Sequence, residues 1–139
     1  MRIQCNPATT KGPAETFTGD VWIDTVVGDD YCRMRSAAVH FAPCARTAWH
    51  SHPRGQTLYV TEGVGLVQAR GGQVIEIRPE EVIYTPPGEE HWHGATPNHY
   101  MTHIAMWEVD DQGVSANWGA HVTDEEYRAP ARRSAREEA

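Results

Sequence analysis

Two short histidine clusters carry the side chains best suited to chemistry in this chain of 139 residues. The first cluster contains His50 and His52, followed by Gln56, and the second contains His91 and His93. Side chains two residues apart in a β-strand point to the same face, so each pair presents two imidazoles together. Three imidazoles and one oxygen donor, with positions left open for a substrate, suit a catalytic site for Mn, Fe, Co, Ni or Zn.

We interpret His50, His52, Gln56 and His91 as the ligands of one divalent transition metal. The alternatives are a group of surface histidines, an inert polar cluster, or a three-histidine site in which Gln56 is only a hydrogen-bonding neighbour. A neutral Gln ligand leaves the site one charge unit more positive than a Glu ligand would, which strengthens the Lewis acid and attracts anions. Such a site suits an alkoxide, an enolate or cyanide.

His93 and His103 are the candidate acid–base residues. His93 shares a face with His91, and a free imidazole beside a cation has a lowered pKa that suits a general base near neutral pH. The alternative is a structural histidine bonded to a backbone carbonyl. His103 has the same strand parity as Met101 and Ala105, so it lines the pocket if that face points inward.

The elements that position these residues are predicted as β-strands from alternation, β-branched residues and turn signals. The predicted strands are Phe17 to Val27, Cys32 to Phe41, Arg46 to His52, Gln56 to Thr61, Val64 to Arg70, Gln73 to Arg78, Glu81 to Thr85, His91 to Ala95 and His99 to Val109. Gly71 and Gly72 indicate a hairpin, and Gly28–Asp30 indicate a turn. A capping-box pattern at Thr123–Glu126 predicts a short helix.

The predicted domain organisation is an arm at 1–15, one barrel at 16–122, and a short helix with a frayed, charged tail at 123–139. The net charge of -7 argues against nucleic acid or an anionic membrane as a partner and leaves a small-molecule substrate. Three widely spaced cysteines favour a reduced cytoplasm. No apolar run has the length of a signal-peptide core or a membrane span.

The two histidine clusters resemble the two conserved motifs of the cupin superfamily. The matching residues are His50, His52 and Gly63 in the first motif and Pro86, Gly88 and His91 in the second. Most cupins carry Glu where this chain has Gln56. The resemblance runs from about residue 17 to residue 107 and implies an all-β, single-domain, antiparallel jelly-roll barrel.

A closer similarity is to the small bacterial cupins that include manganese-dependent hydroxynitrile lyases. It rests on the segments Ala45–His50, Gly55–Leu58, Pro87–Glu89, His91–Ala95, Met101–His103 and His121–Glu125. In that subgroup three His and one Gln hold the metal, so Gln56 fits, and Mn is expected ahead of Fe, Zn, Ni and Co. The implied activity is the reversible, (R)-selective cleavage of a cyanohydrin into an aldehyde and cyanide.

The same similarity implies a substrate pocket that includes Ala37 and Val39, and a pocket histidine at His103. Trp107 departs from the subgroup pattern, where a smaller polar residue, Gln, is expected. A Trp at this place narrows the pocket and puts the same substrate in doubt. The alternatives are another metal-dependent cupin enzyme (a dioxygenase, isomerase or decarboxylase) acting on a small oxygenated compound, or a non-enzymatic small-molecule-binding cupin.

Several further expectations concern the surface. The resemblance and the exposed tryptophans predict a homodimer or a homotetramer. Trp22, Trp49 and Trp92 are expected to bury outward faces against another sheet or subunit. Arg46 is expected to be exposed, and Cys44 to be a turn residue rather than a metal ligand. The remaining histidines are expected to be structural or exposed, and they are His40, His99 and His121.

Overall fold

β-strands account for nearly half of this chain in a computed structural model that describes residues 1–28 and 31–135. The strands are β1 (Thr10–Lys11), β2 (Phe17–Thr18), β3 (Val21–Val27), β4 (Met34–Phe41), β5 (Arg46–Thr47), β6 (His50–Ser51), β7 (Gln56–Gly63), β8 (Gly65–Ala69), β9 (Val74–Ile77), β10 (Val82–Thr85), β11 (His91–Ala95), β12 (Met101–Glu108), β13 (Asn117–Trp118) and β14 (Ala131–Arg133). One short helix, α1, spans Asp124–Tyr127.

The strands form two sheets that face each other. The six-stranded sheet has the order β1-β3-β4-β12-β7-β10, and the eight-stranded sheet has β13-β6-β11-β8-β9-β14, with β5 joining β2 to β11. Every described pairing is antiparallel except that of β14 with β9. The core between the sheets includes Val39, Phe41, Val60, Ile77 and Met101. The predicted all-β, antiparallel jelly-roll fold is therefore confirmed.

Strand parity places Ala37, Val39 and His103 on the buried face of the six-stranded sheet. In β4, Ala37 and Val39 are buried, while the intervening Ala38 faces outward. In β12, His103 pairs with Val39 and Ala105 pairs with Ala37. Two neighbouring strands therefore place small apolar residues directly beside a buried histidine.

Several predicted strand boundaries shift in the structure. The first strand divides into β2 and β3 at Gly19, which has a φ of +81° that favours glycine. β2 then joins the eight-stranded sheet and β3 the six-stranded sheet. The strand predicted at Arg46 to His52 is likewise interrupted between β5 and β6, and β12 begins at Met101 instead of His99. The Gly71–Gly72 hairpin is confirmed between β8 and β9. In the predicted Gly28–Asp30 turn, Asp29 and Asp30 lie outside the described residues.

The C-terminal helix is confirmed together with its capping box. The Thr123 hydroxyl accepts from the Glu126 amide, and the Glu126 carboxylate accepts from the Thr123 amide. The expectation of a frayed tail is wrong for Ala131–Arg133, which form β14 beside β9. Backbone pairing needs no apolar side chains, so the sequence pattern gave no signal of it. Residues 136–139 lie outside the described residues.

The outer face of the eight-stranded sheet is covered by the C-terminal segment of the same chain. Trp49 and Trp92 pack there against Val122 and Tyr127. The expectation that these two rings pack against another sheet or subunit is therefore wrong. Arg46 was expected to be exposed, but it is buried, because its guanidinium donates to the Val122 carbonyl and lies 4.5 Å from the centroid of the Tyr127 ring. The C-terminal segment therefore completes the barrel wall behind the histidine clusters.

Trp22 remains exposed on the outer face of the six-stranded sheet, at 46% of its surface. The assembly into a homodimer or homotetramer stays a prediction. Cys5, Cys32 and Cys44 are all free thiols. Within residues 1–28 and 31–135, no helix has the length and apolar character needed to cross a membrane.

Candidate functional site

The two histidine clusters meet because β6 and β11 are neighbouring strands of the eight-stranded sheet. His50 in β6 pairs directly with His91 in β11. His52 lies just after β6, and Gln56 opens β7 in the opposite sheet. All four side chains are at most 5% exposed. The folding of one sheet over the other thus brings together the four residues that the sequence proposed as metal ligands.

The three imidazoles of this group share one hydrogen-bonding pattern. Each Nδ1–H donates to a backbone carbonyl, from His50 to Ala48 at 2.9 Å, from His52 to Ser115 at 2.9 Å and from His91 to Glu89 at 3.0 Å. A nitrogen that donates to a carbonyl carries the proton, so the Nε2 atom of each neutral ring keeps its lone pair. This arrangement is typical of histidines that bind a metal through Nε2.

The Nε2 atoms have few protein partners. That of His52 is buried with no hydrogen-bond partner. That of His91 lies 3.0 Å from Oε1 of Gln56. Both of these atoms are acceptors when His91 donates through Nδ1, so a bound cation would satisfy them together. The ring centroid of His50 lies 4.3 Å from that of His91 and 5.1 Å from that of His52.

Burial keeps these imidazoles neutral. Desolvation lowers the pKa of His91 to about 4 and lowers that of His52, and it lowers that of His50 well below its ordinary value. Neutral imidazole is the form that binds metals, so the group is ready to do so at neutral pH without losing protons. The orphaned nitrogen, the oriented rings and the Gln56 oxygen fit a divalent metal.

His93, the predicted acid–base residue, lies close enough to this group to be a metal ligand itself. His50, His91 and His93 each offer a ligand atom, and these atoms all lie within 4.8 Å of one another. The His93 ring centroid is 5.2 Å from that of His50, and its Nε2 has no hydrogen-bond partner. His93 therefore competes with His52 for the role of third imidazole ligand, and the ligand set from the sequence stays a prediction.

His93 also pairs with His103 from the opposite sheet. Nδ1 of His93 and Nε2 of His103 lie 2.8 Å apart, so one of these two nitrogens donates to the other. Burial lowers the pKa of His103 to about 4 and that of His93 well below its ordinary value. Both imidazoles are therefore neutral at pH 7. When His93 is the donor, its Nε2 carries a lone pair and is able to accept a proton.

The histidines border an apolar cavity of about 540 Å³. Ala37, Val39 and Trp107, which the sequence assigned to the substrate pocket, all line it, together with Ala105. We call this space the metal cavity. A cavity of this size suits a small organic molecule, with the imidazoles among its few polar groups.

Three residues of the site were missed by the sequence reasoning. The ring of Trp118 stacks on the His50 ring, with 4.5 Å between the two centroids. The ring centroid of Phe17 lies 6.1 Å from that of Trp118 at the cavity wall. Ser115 accepts from His52 through its carbonyl and from Trp107 Nε1 through its hydroxyl, at 2.7 Å. No motif marks these residues, since a loop carbonyl or a stacked ring acts through its position alone.

The remaining sequence candidates lie away from the site. His40 bonds Asp24 on the outer face at 2.9 Å, and His99 and His121 are exposed, as expected. Cys44 is an exposed turn residue with a φ of 69°. These residues therefore carry no part of the metal site.

Comparison with known proteins agrees with this geometry. A family model described as a cupin domain matches residues 37–107. The (R)-mandelonitrile lyase of Granulicella tundricola is 52% identical over 122 residues, which are 87% of this chain and 92% of that protein.

Solved structures show the same similarity. A cupin-like protein from Thermotoga maritima is 40% identical, with a TM-score of 0.81. The alignment covers 86% of this chain and 90% of that one. The polyketide cyclase RemF from Streptomyces resistomycificus shares the fold at 18% identity, with a TM-score of 0.70 over 91% of this chain and 90% of its own. The domain match, the identity and the fold agree, and the chain belongs to the cupin family.

Proposed function

We propose that this protein is a metal-dependent hydroxynitrile lyase, which reversibly cleaves a cyanohydrin into an aldehyde and hydrogen cyanide. The observation that carries the proposal is the buried His93–His103 pair beside the three imidazoles of His50, His52 and His91, at an apolar cavity. The 52% identity to an (R)-mandelonitrile lyase supports the same reaction and the (R) enantiomer.

The residues that would hold the metal are His50, His52, Gln56 and His91. When bound, the divalent ion supplies a Lewis acid that stabilises negative charge on the substrate oxygen. Manganese is the metal we propose, with Fe, Zn, Ni and Co as alternatives, because imidazole and amide ligands accept each of them. A neutral Gln56 keeps the site more positive than a carboxylate ligand would.

The proposed role of His93 is to take the proton of the substrate hydroxyl at its Nε2 atom. As the O–H electron pair forms the carbonyl, the C–C bond to the nitrile carbon breaks and its electron pair leaves with cyanide. The protonated His93 then returns its proton to cyanide, which leaves as hydrogen cyanide beside the aldehyde. Atoms and charge balance without an oxidant or reductant, and the reverse sequence adds cyanide to the aldehyde.

His103 orients His93 for this step. A donor at Nδ1 of His93 needs an acceptor, and the 2.8 Å contact supplies Nε2 of His103. The apolar body of the substrate would lie against Ala37 and Val39, which are buried on the same wall of the metal cavity. A substrate packed against these apolar residues would displace water from this wall, which would strengthen each polar contact.

Metal removal and reloading test the proposal. Protein treated with a chelator is expected to lose cyanohydrin cleavage, and manganese is expected to restore it, whereas His50→Ala protein stays inactive with or without manganese. Full activity of the chelated protein, with metal shown to be absent, would contradict the scheme.

Trp107 favours a second candidate, another metal-dependent cupin enzyme that acts on a different small oxygenated compound. Its indole occupies the wall of the cavity and contacts Ser115. A dioxygenase would consume oxygen when loaded with iron and supplied with substrate, whereas a lyase would not. An oxygen electrode therefore separates the two candidates, and ligand binding without turnover at any metal would favour a non-enzymatic cupin.

A further inference from the structure

Two cavities meet at the same pair of residues. The metal cavity of about 540 Å³ and a second, more open cavity of about 330 Å³ are both lined by Gln56 and Trp107. The second cavity, which we call the rim groove, lies outside the barrel. Its other walls include Met34, Tyr84 and Met106.

Trp107 stands between these two spaces. It has the inward parity of His103 and Ala105 in β12, and its backbone pairs with Gln56 at the start of β7. It is the last inward-facing residue of β12, which ends at Glu108. The centroid of its ring lies 5.9 Å from that of His52, so the indole reaches across the end of the barrel toward the metal ligands.

A hydrogen bond fixes the indole in this position. Trp107 Nε1 donates to the Ser115 hydroxyl at 2.7 Å. The carbonyl of the same Ser115 accepts from His52 Nδ1. Ser115 therefore orients a proposed metal ligand through its carbonyl and anchors, through its hydroxyl, the ring that separates the metal cavity from the rim groove.

We propose that Trp107 closes a lateral entrance to the metal cavity and is thereby a specificity-determining residue. With the indole in place, a substrate extends from the metal ligands toward Phe17 and Trp118, and a branch that points toward the rim groove is excluded. The reaction concerned rests on the proposed function, but the steric claim does not need turnover.

Binding of three carboxylates tests the partition without activity. Calorimetry on zinc-loaded protein compares benzoate, 4-phenylbenzoate and 3-phenylbenzoate, of which only the last directs its second ring sideways. We expect Trp107→Ala to raise the affinity for 3-phenylbenzoate relative to benzoate by about tenfold, a gain typical of newly opened apolar space. The ratio for 4-phenylbenzoate is expected to stay within about twofold.

Two further variants guard against a folding defect and locate the second ring. Ser115→Ala keeps the indole and the backbone carbonyl but removes the anchor, so a smaller gain for 3-phenylbenzoate is expected. Tyr84→Ala alone is expected to leave all three affinities unchanged, because Tyr84 lines the rim groove but not the metal cavity. In the Trp107→Ala background, Tyr84→Ala is expected to reverse part of the gain.

An unchanged 3-phenylbenzoate ratio in both Trp107→Ala and Ser115→Ala protein overturns the partition. Failure of folded, zinc-loaded Trp107→Ala protein to bind this probe also overturns it, as does an equal gain for 4-phenylbenzoate. Cyanohydrin cleavage, measured in parallel, reports on the proposed function separately. A shifted binding ratio without any cleavage would leave the partition standing and reject the lyase.

Discussion

Nδ1 of His93 and Nε2 of His103 lie 2.8 Å apart in the interior of the barrel, on strands of opposite sheets. This contact joins the two sheets at the wall of the metal cavity. It also couples the tautomers of the two rings, since only one of the two facing nitrogens carries the proton. The state of His103 therefore decides whether His93 presents a lone pair or a proton to the substrate.

Replacing His103 tests this coupling. His103→Asn is expected to lower kcat by about a hundredfold, the usual scale of lost proton transfer. The KM for mandelonitrile and the bound metal are expected to stay unchanged, because His103 is not among the proposed ligands. Steady-state kinetics and elemental analysis give these values.

His40→Asn is the matched control for this variant. His40 lies in the same sheet, in β4 beside β12, but its ring faces outward and bonds Asp24. Its substitution is expected to leave kcat and metal content unchanged. Loss of metal from His103→Asn protein, or a kcat equal to that of the unmodified protein, would argue against a positioning role for His103.

The third imidazole ligand is distinguished by metal content. If His52 binds the metal, His52→Ala protein is expected to lose at least about tenfold in manganese affinity, while His93→Ala protein keeps its metal and loses turnover. Equilibrium dialysis followed by elemental analysis measures both variants. Metal loss confined to His93→Ala would assign the ligand role to His93, in agreement with its place in the tight imidazole cluster.

Burial of His103 predicts acid sensitivity of the metal-free protein. The pKa of His103 is about 4 in the fold against an ordinary 6.5. Between pH 4 and 6.5 the unfolded chain therefore binds a proton at His103 that the native state does not bind. Stability is therefore fully present above pH 6.5 and falls as the pH drops toward 4, by about 3 kcal/mol for this residue. Urea denaturation of the chelated protein at several pH values measures the loss.

His103→Asn protein provides the control for the acid effect. Its free energy of unfolding is expected to fall less steeply between pH 6.5 and 4. The difference in slope corresponds to about one proton fewer taken up on unfolding. An identical pH slope for the two proteins would show that His103 does not remain neutral in the fold.

The packing of the C-terminal segment predicts a stability effect that is separate from chemistry. Tyr127 is buried, donates its hydroxyl to the Ala95 carbonyl and packs against Trp92. Tyr127→Ala is expected to lower the free energy of unfolding by about 4 kcal/mol. Tyr84→Ala, which removes an exposed ring, is expected to stay within about 0.5 kcal/mol. Equal effects in urea denaturation would refute the covering role of the segment.

Local rules were sufficient for most of the longer strands and for the grouping of the histidines. The period of two placed His50 with His52 and set Ala37 and Val39 on one face of β4, because alternation is a property of the backbone. The family resemblance assigned that face to the pocket. The capping box predicted α1 for the same reason, since its hydrogen bonds join residues three apart.

Features that depend on distant parts of the chain were not predictable in this way. The partner of His52 is a carbonyl at Ser115, and the cover over Trp49 is the segment around Tyr127. Arg46 is buried because distant carbonyls and a ring enclose it. Such contacts arise from the path of loops between sheets, and no residue type marks them in the sequence.

Cleavage of mandelonitrile tests the central claim most directly. Manganese-loaded protein and its His50→Ala variant are given racemic mandelonitrile in mildly acidic buffer, where the uncatalysed reaction is slow, and benzaldehyde release is followed by absorbance. The lyase predicts release above the variant blank, with the (R) enantiomer consumed first. No release from protein with manganese shown to be bound would contradict the lyase, and Trp107 would then be the first residue to replace.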